Sequence, residues 1–190
     1  MNSEEIAGNG IDDDGNGAID DIPGFETFES SGLKKSISNH GDPQGHGTHV
    51  TGIVSTLEPK ARIVPIHMLD ANGDGLLSDT LFAWSYASEN GAKVINNSFG
   101  IVGLPALEFS CMEEVVQFGK QKCGAIFISA AGNQGNNNDL VICTPANISG
   151  RFLLLRPPSS GGVAAFSNFG KESVHLFAPG ERIVGSDSDF

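Results

Sequence analysis

Gly45-His46-Gly47-Thr48-His49-Val50-Thr51-Gly52 is the stretch from which the rest of the chain is read. A histidine stands between two glycines at the end of a loop rich in Asn, Asp, Gly and Pro. A run of mostly apolar or small residues, 50 to 57, follows at once. The pattern predicts a loop that delivers an imidazole to the first turn of a buried helix, which ends near Pro59. Glycines on both sides of His46 let backbone and ligand come close. Thr48 and Thr51 stand where they can satisfy orphan N–H groups of the first turn. A neutral imidazole near pH 7 can take up and return a proton. A lone histidine here is more often a cap or a core residue, so the choice rests on what lies downstream.

Three downstream segments bear on that choice. They are Val94-Ile95-Asn96-Asn97-Ser98-Phe99-Gly100, then Ala130-Ala131-Gly132-Asn133, then Ala165-Phe166-Ser167-Asn168-Phe169-Gly170 with Phe177-Ala178-Pro179-Gly180 just after it. Together with the histidine stretch, and in the same order, they resemble the motifs of the subtilisin-like serine peptidases, the subtilases. With the acidic loop described below, the resemblance runs over about residues 5 to 185. It implies an α/β fold, a parallel sheet between helix layers in a three-layer sandwich. It implies endoproteolysis, with His46 as general base and Asn133 as the side-chain donor to the oxyanion. Ser98, Phe99, Gly100, Ala131 and Gly132 then become walls of a cleft. There an extended stretch of a peptide or protein substrate would bind by strand addition.

Length and charge narrow the field independently. A chain of 190 residues is large enough for one domain with a real core. We read 1–190 as a single partial peptidase domain in which 5–45 form an acidic insertion and lead-in loop. A net charge of −12 argues against nucleic acid, whose phosphates it would repel, and suits cations. No run approaches the roughly 20 apolar residues of a membrane span. The opening Met1-Asn2-Ser3-Glu4-Glu5 is acidic where a signal peptide starts basic and turns apolar. Subtilases are commonly exported, so the resemblance implies secretion while this opening departs from it. The three cysteines, Cys111, Cys123 and Cys143, lack metal-ligand spacing and read as free thiols, with at most one disulfide.

The acidic loop has its own spacing. In Gly10-Ile11-Asp12-Asp13-Asp14-Gly15-Asn16-Gly17-Ala18-Ile19-Asp20-Asp21, oxygen donors fall at Asp12, Asp14, Asn16 and Asp20. That is the first part of an EF-hand-type loop, in which alternate side chains converge on one calcium ion. The twelfth position is Pro23 rather than Glu, which leaves Asp21 and Glu26 as candidates for the missing ligand. The alternative is a solvated acidic turn. Some subtilases carry a similar insertion, so the resemblance also favours structural calcium. A second loop of this spacing, Asp70-Ala71-Asn72-Gly73-Asp74-Gly75, reads better as part of the cleft rim than as a metal site.

Periodicity supplies the remaining elements. Residues 62 to 69 predict a strand buried on both faces, weakened by Pro65. Residues 78 to 90 predict a helix with Leu81, Trp84, Ser85 and Ser88 on one side. Residues 106 to 122 predict a second helix lined by Leu107, Cys111, Val115 and Phe118. Strands are expected at 93–98, 125–131 and 174–177, and at the start of 151–158, where Pro157-Pro158 ends the run. This alternation predicts βαβ units with the site at the carboxyl ends of the strands. Asn147-Ile148-Ser149 has the form of a glycosylation sequon.

Two parts of a serine peptidase are not found in these residues. The family's aspartate strand, of the form Val-Ile-Asp-Ser/Thr-Gly, does not precede Gly10, and no Gly-Thr-Ser-Met-Ala follows Phe177. Asp42 is near His46 but on the wrong element. Ser159, Ser160, Ser186 and Ser188 lie in polar loops with no helix start behind them. Three readings follow: a fragment of an active subtilase, a non-catalytic subtilase-like protein binding peptide or calcium, or a decayed gene product that does not fold. A missing central helix would expose apolar surface and promote self-association.

Overall fold

The computed structural model describes residues 5–6, 8–16, 18–21, 24–27, 35–36, 42, 44–148, 152–155, 164–179 and 183–185. Pro23, Ser149, Pro157, Pro158 and the four serines named above lie outside them. The chain forms two compact units, Met1–Tyr86 with Val184–Phe190, and Ala87–Ile183. The single sheet expected from the sequence is accordingly drawn as separate sheets.

In the first unit, β1 (Phe25–Glu26) lies between β2 (Lys35–Ser36) and β3 (Ile66–His67). It runs antiparallel to β2 and parallel to β3. The strand expected over 62–69 is thus only two residues long. Phe25 and Thr27 donate their N–H groups to the carbonyls of Pro65 and His67 at 3.1 and 2.9 Å. Gly24 has φ +146°, and a Cβ there would sit 2.5 Å from the Pro65 carbonyl oxygen, so only glycine fits this approach. Helix α1 (His46–Leu57) forms where the apolar run predicts it but is not the buried helix expected, since Gly52 alone of its residues is buried and Val54 and Leu57 are exposed; α2 (Leu77–Glu89) straddles the boundary between units. The core is Ala18, Phe25 and Tyr86, with Ile66 and Phe82 against it. Phe25 stacks on Tyr86 with ring centroids 4.7 Å apart.

The second unit is built on a four-stranded sheet in the order β4 (Val94–Asn97), β6 (Ile126–Ala130), β8 (Phe152–Leu155), β9 (Leu176–Phe177). Every pairing in it is parallel. A two-stranded antiparallel ribbon joins β5 (Ile101–Val102) to β7 (Cys143–Thr144). Helix α3 (Ala106–Cys123) buries Met112, Val116 and Gly119. Leu107 and Phe118, expected on its inner face, are exposed. The reason is Gly119. A Cβ there would meet Ser88 Oγ at 2.4 Å and the Phe127 ring at 3.0 Å, so the helix turns its smallest residue to the sheet and approaches closely. Helix α2 departs in the same way: Trp84 and Ser88 are buried as expected, but so are Thr80, Ala83, Tyr86 and Ala87. In β4 and β6 burial alternates along the strands. Ile95, Asn97, Phe127 and Ser129 are buried, while Val94 and Ile126, paired in register, are about half exposed.

Candidate active site

His46 is the first residue of α1 and is exposed. Its helix begins after Gly45, which takes the left-handed conformation at φ 79°. The threonines do not cap this helix, contrary to the expectation from the motif. Asp42 does: its carboxylate accepts the N–H of Thr48 at 2.7 Å and of Gly45 at 3.0 Å. Burial works to raise the Asp42 pKa. Hydrogen bonds from Thr48 and Gly45 and the nearby His67 outweigh it and hold the carboxyl below its ordinary value. This pins the loop before His46. The motif's other histidine, His49, faces Gly185, where a Cβ would lie 2.8 Å from the imidazole. His46 is therefore the exposed histidine of the two. Its backbone N–H donates to Gln44 Oε1 at 3.1 Å.

The acidic loop closes around a different set of groups from the expected one. Carboxylate oxygens of Glu5, Asp12 and Asp14 lie within 4.8 Å of one another. Glu5 comes from outside the motif. Buried, it accepts the N–H of Asp13 and Asp14 on one oxygen and of Asp20 on the other. Asn16 stays beside the cluster, donating to Asp14 and Asp21 at 2.9 and 3.0 Å. Asp20 turns away, both its oxygens taking backbone N–H groups of Asn9 and Gly10. Asp21 is buried against Tyr86, whose hydroxyl pKa rises because of burial and then the Asp21 carboxylate. Glu26 lies 3.9 Å from His67 Nδ1. The cluster's hard oxygen donors fit a calcium ion, with Glu5, Asp12 and Asp14 as ligands and Asn16 adjacent. Asp70 behaves otherwise: its carboxylate accepts the N–H groups of Asn72 and Asp74, closing its own turn.

The second unit holds the other predicted residues. Gly100 stands three residues past β4 and Asn133 three past β6, both at carboxyl ends of strands. A Cβ on Gly100 would be 3.2 Å from Cys143 Sγ. Cys143 in turn packs with Ala131 in a buried cluster. Thus Gly100 and Ala131 both neighbour Cys143. Burial pushes the Cys143 thiol pKa up, and all three cysteines are free. Gly132 has φ +109°, which a side chain rarely adopts. Asn133 is exposed, and its N–H donates to Gln134 Oε1 at 3.0 Å. Asn147 of the sequon is used internally. Its Oδ1 accepts the Cys143 N–H at 2.8 Å and its Nδ2 donates to the Asn138 carbonyl at 2.7 Å.

An exposed imidazole at a helix start and an exposed amide past a parallel strand are the groups of acyl-transfer chemistry. A subtilase family model matches residues 10–189. The thermophilic serine proteinase of Bacillus sp. (strain AK1) is 32% identical over 163 residues, covering 79% of this chain and 38% of that protein. The extracellular serine proteinase of Thermus sp. (strain Rt41A) is 32% identical over 151 residues, covering 76% and 35%. Among solved structures, a cold adapted subtilisin-like serine proteinase superposes with a TM-score of 0.70 at 29% identity, covering 81% of this chain and 55% of that one. A lanthipeptide protease has the same fold, with a TM-score of 0.72 at 24% identity over 87% and 50% of the two chains. This chain belongs to the subtilase family of serine peptidases. It spans less than two thirds of the length of each of these relatives. Among the described residues no helix is long and apolar enough to cross a membrane.

Proposed function

We propose that these residues form the base-bearing and oxyanion-binding part of a subtilisin-like serine endopeptidase domain. His46 is the general base. Asn133 donates to the developing oxyanion. Ser98, Phe99, Gly100, Ala131 and Gly132 hold an extended peptide or protein substrate. Glu5, Asp12 and Asp14, with Asn16, hold a structural calcium ion. The site works outside the cell, as the name of the Thermus relative states for that protein. The observation that carries this reading is the placement of the two polar groups. His46 is exposed at the start of α1 and Asn133 is exposed past the end of β6, inside a chain matched to the family over residues 10–189.

The 190 residues by themselves do not hydrolyse peptide bonds in this reading. A base without its serine has nothing to activate. Losing the nucleophile costs about a millionfold in turnover in subtilisin itself, where the loss has been measured. The test is cleavage of a fluorogenic peptide together with labelling by a fluorophosphonate probe. No labelling is expected. Labelling that disappears in His46→Ala would reveal a nucleophile within these residues and overturn the statement of inactivity. Joined to an aspartate strand and a serine helix of the family, the chain should cleave, and both His46→Ala and Asn133→Ala should abolish cleavage. A joined chain that stays inactive favours the second reading, a non-catalytic protein that binds peptide or calcium.

A further inference from the structure

The loop that carries Asn133 has no strand or helix to hold it. β6 ends at Ala130, and the chain next enters regular pairing at the single bridge between Asn137 and Phe169. Backbone groups over 131–136 need partners, because unpaired buried N–H and C=O groups are costly. Gly135 donates to the Phe166 carbonyl and the Asn136 carbonyl accepts from Phe169, and one side chain supplies three further partners. Asn168 Oδ1 accepts the N–H of Gln134 at 2.9 Å and of Asn136 at 3.0 Å. Asn168 Nδ2 donates to the Ala131 carbonyl at 2.9 Å and to Gln134 Oε1 at 3.2 Å. Its own N–H donates to the Gly132 carbonyl at 3.0 Å. The residue is fully buried.

Each part of this arrangement is selective. The amide meets two donors with its oxygen and two acceptors with its nitrogen, so it acts as a peptide group inserted from another segment. An aspartate would keep the two accepted bonds and face the Ala131 carbonyl with a second oxygen. A leucine of similar size would orphan the N–H groups of Gln134 and Asn136, while the Ala131 carbonyl would keep the Asn138 side-chain amide, which donates to it at 2.9 Å. Gly132 is matched to it, since a Cβ there would lie 2.4 Å from Asn168 Nδ2. The chain of contacts ends on the functional residue. Gln134 Oε1, held by Asn168, accepts the N–H of Asn133. Among the described residues no hydrogen bond engages the Asn133 side-chain amide, which leaves it free for a ligand on a backbone fixed from below.

We propose that Asn168 is the positioning residue for the oxyanion donor. It sets the loop so that the Asn133 amide faces a bound carbonyl, and Gln134 relays that hold. This rests on the reading of Asn133 as the oxyanion donor, and the experiment separates the two. Two-dimensional nitrogen–proton spectra of the 190-residue chain report backbone exchange and the Asn133 side-chain amide together. Titration with a blocked tetra-alanine amide is expected to shift the Asn133 side-chain signals. If no concentration moves them, the oxyanion reading of Asn133 fails, and the positioning role with it.

In Asn168→Ala, amide exchange at Asn133, Gln134 and Asn136 should speed up at least tenfold while Phe127 and Val116 stay protected. The peptide-induced shift of the Asn133 side chain should shrink. In Asn168→Asp, protection at Gln134 and Asn136 should survive better than in Asn168→Ala. Gln134→Ala removes the relay and the longest of the buried amide's bonds but keeps its hold on Ala131, Gln134 and Asn136, so it guards against a variant that does not fold, and it should speed exchange mainly at Asn133. Unchanged loop exchange in Asn168→Ala, or equal losses at Phe127 and in the loop, would overturn the positioning role while leaving the peptide shift intact.

Discussion

Gly119→Ala tests the close approach of α3 to Ser88 of α2 and to the Phe127 ring of β6. In an exposed helix this substitution stabilises by up to about 1 kcal/mol, through propensity. Here the added methyl would lie 2.4 Å from Ser88 Oγ and 3.0 and 3.1 Å from two carbons of the Phe127 ring. Ser88 and Phe127 are both fully buried, so neither can swing into solvent. Overpacking of this kind costs about 1–3 kcal/mol. Two blocked neighbours put it toward the upper end, and subtracting the propensity gain leaves a net loss of about 1–2 kcal/mol. For a unit of this size, each kcal/mol moves the melting temperature by about 4–8 °C. The assay is thermal unfolding followed by circular dichroism, with a cycle through Ser88→Ala. Removing the hydroxyl relieves the shorter contact, so the two substitutions should couple favourably by about 1 kcal/mol. A Gly119→Ala chain as stable as the parent, or no coupling to Ser88→Ala, would refute close approach as the reason this face turns inward.

Calorimetric titration should show calcium binding that Asp12→Ala with Asp14→Ala abolishes and Glu5→Gln weakens at least tenfold; unchanged binding in the double variant removes the metal site. Asp42→Ala should cost about 1 kcal/mol as the lost cap of α1, and Asp42→Asn less, both read from denaturant midpoints. The depressed Asp42 pKa means the folded form binds its proton less readily, so this contribution is present above about pH 4 and fades as pH falls. Tyr86 has the opposite sign: its raised pKa keeps the folded phenol protonated while the unfolded one ionises, so stability should fall as pH rises above about 10. A Tyr86→Phe chain that unfolds at the same alkaline pH as the parent would remove that group as the cause. The half-exposed pair Val94 and Ile126 should drive self-association, and a monodisperse monomer in light scattering with cooperative melting would contradict it.

The long elements were legible because their signals are local. The apolar run after His46, the strand–helix alternation from Lys93 onward and the glycines at strand ends announce themselves within a few residues. Inner faces were less legible. In α3 the largest apolar residues suggest one face, but Gly119 against Phe127 selects another, and closeness of approach cannot be read from hydrophobic spacing. The calcium-type loop shows the same limit. Its spacing points to Asp12 and Asp14, but Glu5 joins them from before the motif, and Asp20 is drawn off by the N–H groups of Asn9 and Gly10. Asn168 sits in a recognisable motif, yet its service to a loop 34 residues earlier leaves no mark in either segment.

Glu5 also sets how the protein can be handled. Three backbone amides, from Asp13, Asp14 and Asp20, converge on its one carboxylate. The acidic loop is thus tied shut by a residue near the start of these 190. Trimming the first five residues, or a protease nick just after them, would cut that tie and release amides across the whole loop.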